Sequence, residues 1–345
     1  MALLRRRAAE RTPLHDVDVV LADLDGVVYA GSGALPHAVD SLNRSRDGRR
    51  IGYITNNASR TDASVADHLR DLGLDTAPSD VVTSPQAAVR LLAEQITPGS
   101  TVLVVGGDGL VNELEKAGFR VTRSADDAPA AVVQGFAPEV GWTHLAEAAY
   151  ALALPEGQGG IPWIATNTDW TIPQSRGVAP GNGTLVSAVH TAVGRLATVA
   201  GKPEVPIFAE AVARFGARHP LFLGDRLDTD ILGANRAGIP SALVLTGIDR
   251  PKHVLAAPAG SQPTFILGDL RELHQPYPEA TVRDGAVTVG SARVRIDGPD
   301  VQILDEGDRP VDLLRAGARA IWDTGRAIYG FRVPERLYAD PFHRP

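Results

Sequence analysis

Asp18 to Tyr29 reads DVVLADLDGVVY, an apolar run from Val19 to Leu21 that ends in Asp23-Leu24-Asp25-Gly26 before apolar residues resume. A short apolar run closed by a glycine turn has the form of a buried parallel strand and its exit loop. Two carboxylates two residues apart point the same way along a strand and repel each other. At the C-terminal mouth of a strand in an open α/β sheet, where ligands bind, a bound cation offsets that repulsion. The stretch therefore marks a metal-assisted catalytic centre, and it requires a parallel sheet to carry it.

The following residues supply that sheet. A helix is expected from Pro36 to Asn43 and a second buried strand over Ile51–Ile54, which ends in Thr55-Asn56-Asn57-Ala58-Ser59. A helix from Thr61 to Leu72 closes on Gly73, and Val81–Thr83 gives a third strand before a helix from Pro85 to Gln95. The rhythm restarts at Thr101 with TVLVV, and runs through strand-like AAVVQGF (Ala130–Phe136) and IPWIAT (Ile161–Thr166) to a long loop, Asn167–Gly183. That loop is too long and too rich in Gly and Pro for a plain connector. The first rhythm then returns with a helix over Ile207–Phe215, the strand PLFLG (Pro220–Gly224), the run Asp225-Arg226-Leu227-Asp228-Thr229-Asp230, and strands SALVL (Ser241–Leu245) and Phe265–Leu267. Strand–helix alternation of this kind implies an α/β fold with a doubly wound, Rossmann-like parallel sheet.

Beyond Gln275 the pattern changes. Four short alternating segments (Thr281–Arg283, Ala286–Val289, Ala292–Ile296, Val301–Leu304) are separated by Asp284-Gly285, Gly290-Ser291 and Asp297-Gly298, and a helix starts at Pro310. This is a β-meander followed by a helix, expected to dock on the main body. The expected organisation is a discontinuous catalytic core (16–100 and 201–274), an inserted α/β cap (101–200), and a C-terminal extension (275–345) whose role the sequence leaves open.

Composition narrows the chemistry. The 345 residues contain no cysteine, which removes disulfides, thiolate metal sites and a cysteine nucleophile. Scattered histidines argue against zinc. A net charge of −7 argues against nonspecific nucleic-acid binding. The start, MALLRRRAAERTP, lacks an apolar segment after Arg5, Arg6 and Arg7, so a frayed basic terminus is expected there rather than a signal peptide. No run approaches the ~18 apolar residues of a membrane span, and the cytoplasm is the expected location. Only three lysines (Lys116, Lys202, Lys252) stand among 34 lysines and arginines, so each is a candidate for a compact point charge.

Polar clusters thus recur in a fixed order: DxDG, TNN, Gly201-Lys202-Pro203 and GDRLDTD. Each alone has a plain structural explanation as a turn or a helix cap. Together with the stretches TNNASR, GGDGLVNELEKAGF, PGNGTL and GDRLDTDI, they carry a resemblance. The chain resembles the haloacid-dehalogenase-like phosphatases over about Asp16 to Leu273, in the class IIA subgroup whose cap is inserted between the second and third motifs. Within it, the likeness is to the p-nitrophenyl phosphate, phosphoglycolate and glycerol-phosphate phosphatases.

That resemblance implies roles which the residue chemistry supports. Asp23 is the expected nucleophile, forming an aspartyl-phosphate. Asp25 is the expected general acid and then base. Thr55 is expected to bind a phosphoryl oxygen, with Asn56 and Asn57 beside it, and Lys202 to offset transition-state charge. Asp23, the backbone carbonyl of Asp25, Asp225 and, through water, Asp230 are the expected Mg²⁺ ligands. Asp228 is expected to be a solvated helix-start residue. In the cap loop, Trp170, Arg176 and Asn182 are substrate-contact candidates, with the plain alternatives that Trp170 packs the cap and Arg176 is solvated. Gly106-Gly107-Asp108-Gly109 lacks the Lys-Ser/Thr of a P-loop and reads as a turn.

The expected activity is Mg²⁺-dependent hydrolysis of a small phosphomonoester, with glycerol 3-phosphate first and phosphoglycolate as the alternative. A non-catalytic phosphometabolite-binding protein is the rival of a different class. The expected partner is a small phosphorylated metabolite, and the oligomeric state is open, a homodimer included.

Overall fold

A computed structural model describes residues 11–154, 158–174 and 176–341. Arg5, Arg6 and Arg7 lie outside the described residues. The chain divides into two compact units: Met1–Ile51 with Leu72–Leu74 and Ala217–Pro345, and Gly52–Asp71 with Asp75–Gly216. Their parallel sheets and flanking helices give the α/β architecture expected from the strand–helix rhythm.

In the first unit, parallel strands run in the order Phe265–Leu267, Ser241–Val244, Pro220–Gly224, Val19–Ala22. Every residue of Val19–Ala22 and Ser241–Val244 is buried, which is why these segments lack polar alternation. Val19–Ala22 pairs in register with Pro220–Leu223, so Asp23 and Asp225 leave the sheet from neighbouring strand ends. A two-residue hairpin, Tyr29–Ala30 with Gly33–Ala34, follows the first strand. It was not expected, being too short to show periodicity.

The meander is present as a four-stranded antiparallel sheet, Thr281–Arg283, Ala286–Val289, Ala292–Asp297 and Asp300–Asp305. Asp284 and Gly285 both have positive φ (51° and 72°), as a tight hairpin turn demands. One sheet face packs on the helix Pro310–Trp322, and the other carries exposed Arg293 and Arg295. Val287, Val294, Val301, Leu313 and Ile321 share one hydrophobic core with Leu243 and Ile266 of the parallel sheet and Leu255 of the helix Pro251–Leu255. The extension is docked on that sheet.

Polar contacts finish the joint. Arg315 is buried on the helix Pro310–Trp322; its Nε donates to Ile266 O at 2.9 Å, Nη1 to Asp312 at 2.7 Å and Nη2 to Glu272 at 2.7 Å. Its guanidinium lies 4.1 Å from the centroid of the Tyr277 ring. The Tyr277 hydroxyl accepts from Ile266 N at 3.1 Å, and Ile266 belongs to the edge strand Phe265–Leu267. Trp322 donates through Nε1 to Val254 O and serves the core.

The second unit has a five-stranded parallel sheet ordered Thr198–Val199, Trp163–Ala165, Ala131–Gln134, Thr101–Val105, Arg120–Thr122. Helices Trp142–Ala151 and Asn182–Val193 bury Ala148, Val186 and Val189 against Leu103, Val132 and Trp163. The same unit holds the end of strand Arg50–Thr55, its parallel neighbour Val81–Thr83, and helices Asp62–Asp71, Ser84–Ala93 and Val205–Phe215. The long loop contains a hairpin, Thr171–Gln174 with Gly177–Pro180, and its helix begins at Asn182 rather than Thr184. Proline and glycine at the hairpin positions hid the strands from periodicity.

Two outcomes follow from buried charge. Arg315→Ala leaves buried Asp312 without this cation while Glu272 keeps Arg309, so it should destabilise the fold by about 3 kcal/mol in denaturant unfolding. In the second unit, burial by itself would raise the Glu210 carboxyl, but hydrogen bonds from Arg90 and Arg214 outweigh it and hold the pKa below its usual value. A depressed carboxylate contributes stability above its unfolded pKa of about 4.3 and loses it as pH falls through the folded value. Glu210→Gln should therefore flatten the acid side of the stability–pH curve, measured as denaturation midpoints at successive pH values.

Candidate catalytic site

The first unit gathers three carboxylates. One ligand oxygen from each of Asp23, Asp225 and Asp230 lies within 4.8 Å of the others, and all three residues are buried. Asp23 continues the strand ladder through its N–H to Leu223 O at 2.8 Å. Asp225 accepts from Ile248 N through Oδ2 at 2.7 Å. Asp230 sits in a turn of π-helix, Leu227–Ile231, and its Oδ2 accepts from the N–H groups of Asp225 and Arg226, each at 3.1 Å. That π-turn replaces the plain helix start expected after Asp225. It turns Asp230 inward while Asp228 stays exposed and pairs with Arg226 at 2.8 Å.

Glycine makes this crowding possible. A Cβ on Gly247 would lie 2.0 Å from Asp225 Oδ2, one on Gly26 would lie 2.3 Å from the same atom, and one on Gly224 would lie 2.3 Å from Asp230 Cβ. Gly26 also has φ of +78°, a conformation that glycine adopts without strain. Three buried carboxylates at this spacing repel one another, and a cation bound among them offsets that repulsion. Hard oxygen donors alone suit a divalent cation such as Mg²⁺. Asp25, two residues from Asp23, is exposed and its side chain is not in this cluster. The carboxylate pair of the sequence is thus divided between a buried member and an exposed one.

The second unit holds a different set. Thr55, at the end of strand Arg50–Thr55, is buried, and its hydroxyl accepts from Asn57 N at 3.1 Å. Asn57 is exposed; its Oδ1 accepts from the N–H and hydroxyl of Ser59. The Asn56 amide is committed to the protein: Oδ1 accepts from Lys202 N at 2.8 Å, and Nδ2 donates to Lys202 O at 3.0 Å and to the Asp169 carboxylate at 3.2 Å. Lys202 is 4 % exposed. Asn182 is 1 % exposed and donates to Asn167 O at 2.7 Å, so its side chain holds the loop backbone. Arg176 is exposed, and so is Trp170, which therefore does not pack into the cap as its plain alternative had it.

Sequence reasoning missed Asn167 and Asp169. Their signal was the polar Asn167-Thr168-Asp169 run directly after a buried strand, the same placement as Thr55-Asn56-Asn57. The glycines of PGNGTL belong with them: Cβ atoms on Gly181 and Gly183 would lie 2.1 Å from Asp169 O and 2.3 Å from Thr168 O. The Gly106–Gly109 stretch opens the helix Asp108–Lys116, as a turn should. It borders a cavity of about 610 Å³ whose lining pairs Asp108 and Glu139 with Arg123 and His144, giving it no bias toward either sign of charge.

Gly247→Ala tests the glycine cradle. The added methyl displaces the Asp225 carboxylate, and Mg²⁺ affinity by calorimetric titration should drop about 10–100-fold, as for other groups that orient a metal ligand.

Relatives bear on the site. A family model for haloacid dehalogenase-like hydrolases matches residues 20–120, and one for haloacid-dehalogenase-hydrolase-like proteins matches 199–273. The D-glycerol 3-phosphate phosphatase of Mycobacterium tuberculosis is 44% identical over 332 residues, covering 93% of this chain and 90% of its own. The glycerol-3-phosphate phosphatase of Gallus gallus is 36% identical over 71% of this chain and 84% of its own. A crystal structure of the Mycobacterium tuberculosis glycerol phosphate phosphatase in complex with magnesium superimposes with a TM-score of 0.80 at 41% identity, covering 94% of each chain. Among the described residues, no helix is long and apolar enough to cross a membrane. With both halves of the motif set matched and a relative this similar over nearly its whole length, the chain belongs to the haloacid dehalogenase-like hydrolases, in the class IIA phosphatase group.

Proposed function

We propose that this protein is a Mg²⁺-dependent phosphatase that hydrolyses glycerol 3-phosphate. The observation that carries the reading is the buried triad Asp23, Asp225 and Asp230, an all-oxygen set suited to a divalent cation that falls on the family's motifs. The substrate assignment draws on the 44% identity to an enzyme of that name. Residues 101–200 are taken as the cap inserted into a core of 16–100 and 201–274, and the partner as a small cytoplasmic metabolite.

In the proposed reaction a carboxylate oxygen of Asp23 attacks phosphorus and the bond from phosphorus to the glycerol oxygen breaks. Asp25 gives its proton to the leaving alkoxide. Its side chain is exposed, unlike that of Asp23. Asp25 then takes a proton from water, which attacks the aspartyl-phosphate and releases inorganic phosphate, restoring both carboxyl groups. Mg²⁺, when bound by Asp23, Asp225, the Asp25 carbonyl and Asp230 through water, neutralises charge on the transferring group. Thr55 and the backbone beside Asn56 and Asn57 bind phosphoryl oxygens, and Lys202 supplies a fixed positive charge. Arg176 and Trp170 are exposed side chains of the cap loop, placed to meet the rest of the substrate.

Asp23→Asn should reduce phosphate release from glycerol 3-phosphate at least about a thousandfold. Asp25→Asn should instead form phospho-enzyme slowly and then stall, trapping label from ³²P-substrate. Full turnover in the Asp23 variant would overturn the nucleophile, and equal rates with phosphoglycolate would overturn the substrate.

A further inference from the structure

Three asparagines distant in sequence join into one hydrogen-bonded relay that ends on the backbone of Lys202. Asn182, the first residue of helix Asn182–Val193, donates to Asn167 O at 2.7 Å. Asn167 donates through Nδ2 to Asn56 O at 2.8 Å, and its Oδ1 accepts from Asp169 N at 3.2 Å. The Asn56 amide closes a two-bond ring with Lys202, accepting from its N–H and donating to its C=O. Ser84 Oγ donates to the same Asn56 carbonyl at 2.7 Å. The second proton of Asn56 Nδ2 goes to the Asp169 carboxylate, which fixes which way the amide faces.

This is more polar investment than the local fold requires. Lys202 lies in a turn segment, so no strand or helix ladder holds its backbone there, and the amide of Asn56 plays the part of a strand partner. Gly201 permits the approach: a Cβ there would sit 2.6 Å from Asn56 Oδ1 and 2.4 Å from Thr166 O. Asn167 and Asn182 are 4 % and 1 % exposed, and the amide of each donates to a backbone carbonyl of the protein. Hydrogen-bonded amides buried in this way hold geometry, and a lost bond leaves a buried polar group unsatisfied. A lysine whose flexible four-carbon stem must deliver a point charge to one place gains most from a fixed backbone.

We infer that Asn167 and Asn182 are positioning residues for the phosphatase reaction, acting through Asn56 to fix Lys202. This rests on the proposed catalytic role of Lys202. The relay also reassigns Asn182, a cap-loop substrate candidate by sequence, to the support of a residue twenty positions on. Asp169 belongs to the same device, because it orients the amide that grips Lys202.

A mutant cycle tests it, with glycerol 3-phosphate and saturating Mg²⁺. Asn167→Ala should lower kcat about tenfold or more while KM changes less than about twofold. Lys202→Ala should lower kcat further, and adding Asn167→Ala to it should cost almost nothing more, because the charge being positioned is gone. Asn182→Ala, one bond further out, should repeat this signature at smaller amplitude, and Asn167→Asp, which keeps the size of the side chain and removes its donor, should lower kcat as Asn167→Ala does. An equal loss from Asn167→Ala in both backgrounds, or an unchanged kcat in a folded Asn167→Ala protein, would overturn the inference and leave the role of Lys202 intact. A fully active Lys202→Ala would remove that role, and the relay's catalytic purpose with it.

Discussion

Like-charge crowding at the ends of two adjacent parallel strands is the constraint on which the first unit depends. Asp23 and Asp225 leave neighbouring strands that are locked in register, and the π-turn brings Asp230 against them. The backbones of Asp23 and Asp225 follow buried paired strands, and the Asp230 carboxylate is held by the N–H groups of Asp225 and Arg226. A bound cation would offset that repulsion, and glycines at 26, 224 and 247 clear the space beside the carboxylates. Packing tolerance and cation demand are thus set by the same few atoms. Stability is spent here to hold a site whose chemistry needs concentrated negative charge.

The second unit solves the opposite problem, how to hold a single cation still. Lysine is rare in this chain, and Lys202 is buried with its backbone gripped by an asparagine side chain. The grip runs through residues contributed by four separate segments, at 56, 167, 182 and 202, which the parallel sheet and its loops gather in one place. Neutral amides suit this task. They give donor and acceptor from one planar group without adding a charge that would compete with the lysine.

Much of this was legible in the sequence where local physics decides. Strands buried on both faces announce themselves as unbroken apolar runs, and the Asp284-Gly285 and Gly290-Ser291 turns set out the meander. The resemblance already implied two roles for the Asp23–Asp25 pair, but not that one member is buried and the other exposed. What stayed hidden depends on contacts more than a hundred residues apart. Nothing in TNN says that Asn56 turns toward residue 202, and nothing near Trp170 says that its ring faces solvent. The π-turn was hidden for a different reason: one inserted residue per turn leaves the composition of a helix start unchanged.

The joint made by Arg315 and Tyr277 has a wider meaning for the C-terminal extension. The Phe265–Leu267 strand is the open margin of a parallel sheet, and bare N–H and C=O groups on such a margin invite pairing with another chain. Ile266 offers its N–H to the Tyr277 hydroxyl and its carbonyl to the Arg315 guanidinium. Both partners lie beyond residue 273, where the family match ends. Residues outside the family's shared segment therefore act as a selvedge for the catalytic sheet, giving its last strand a partner from its own chain.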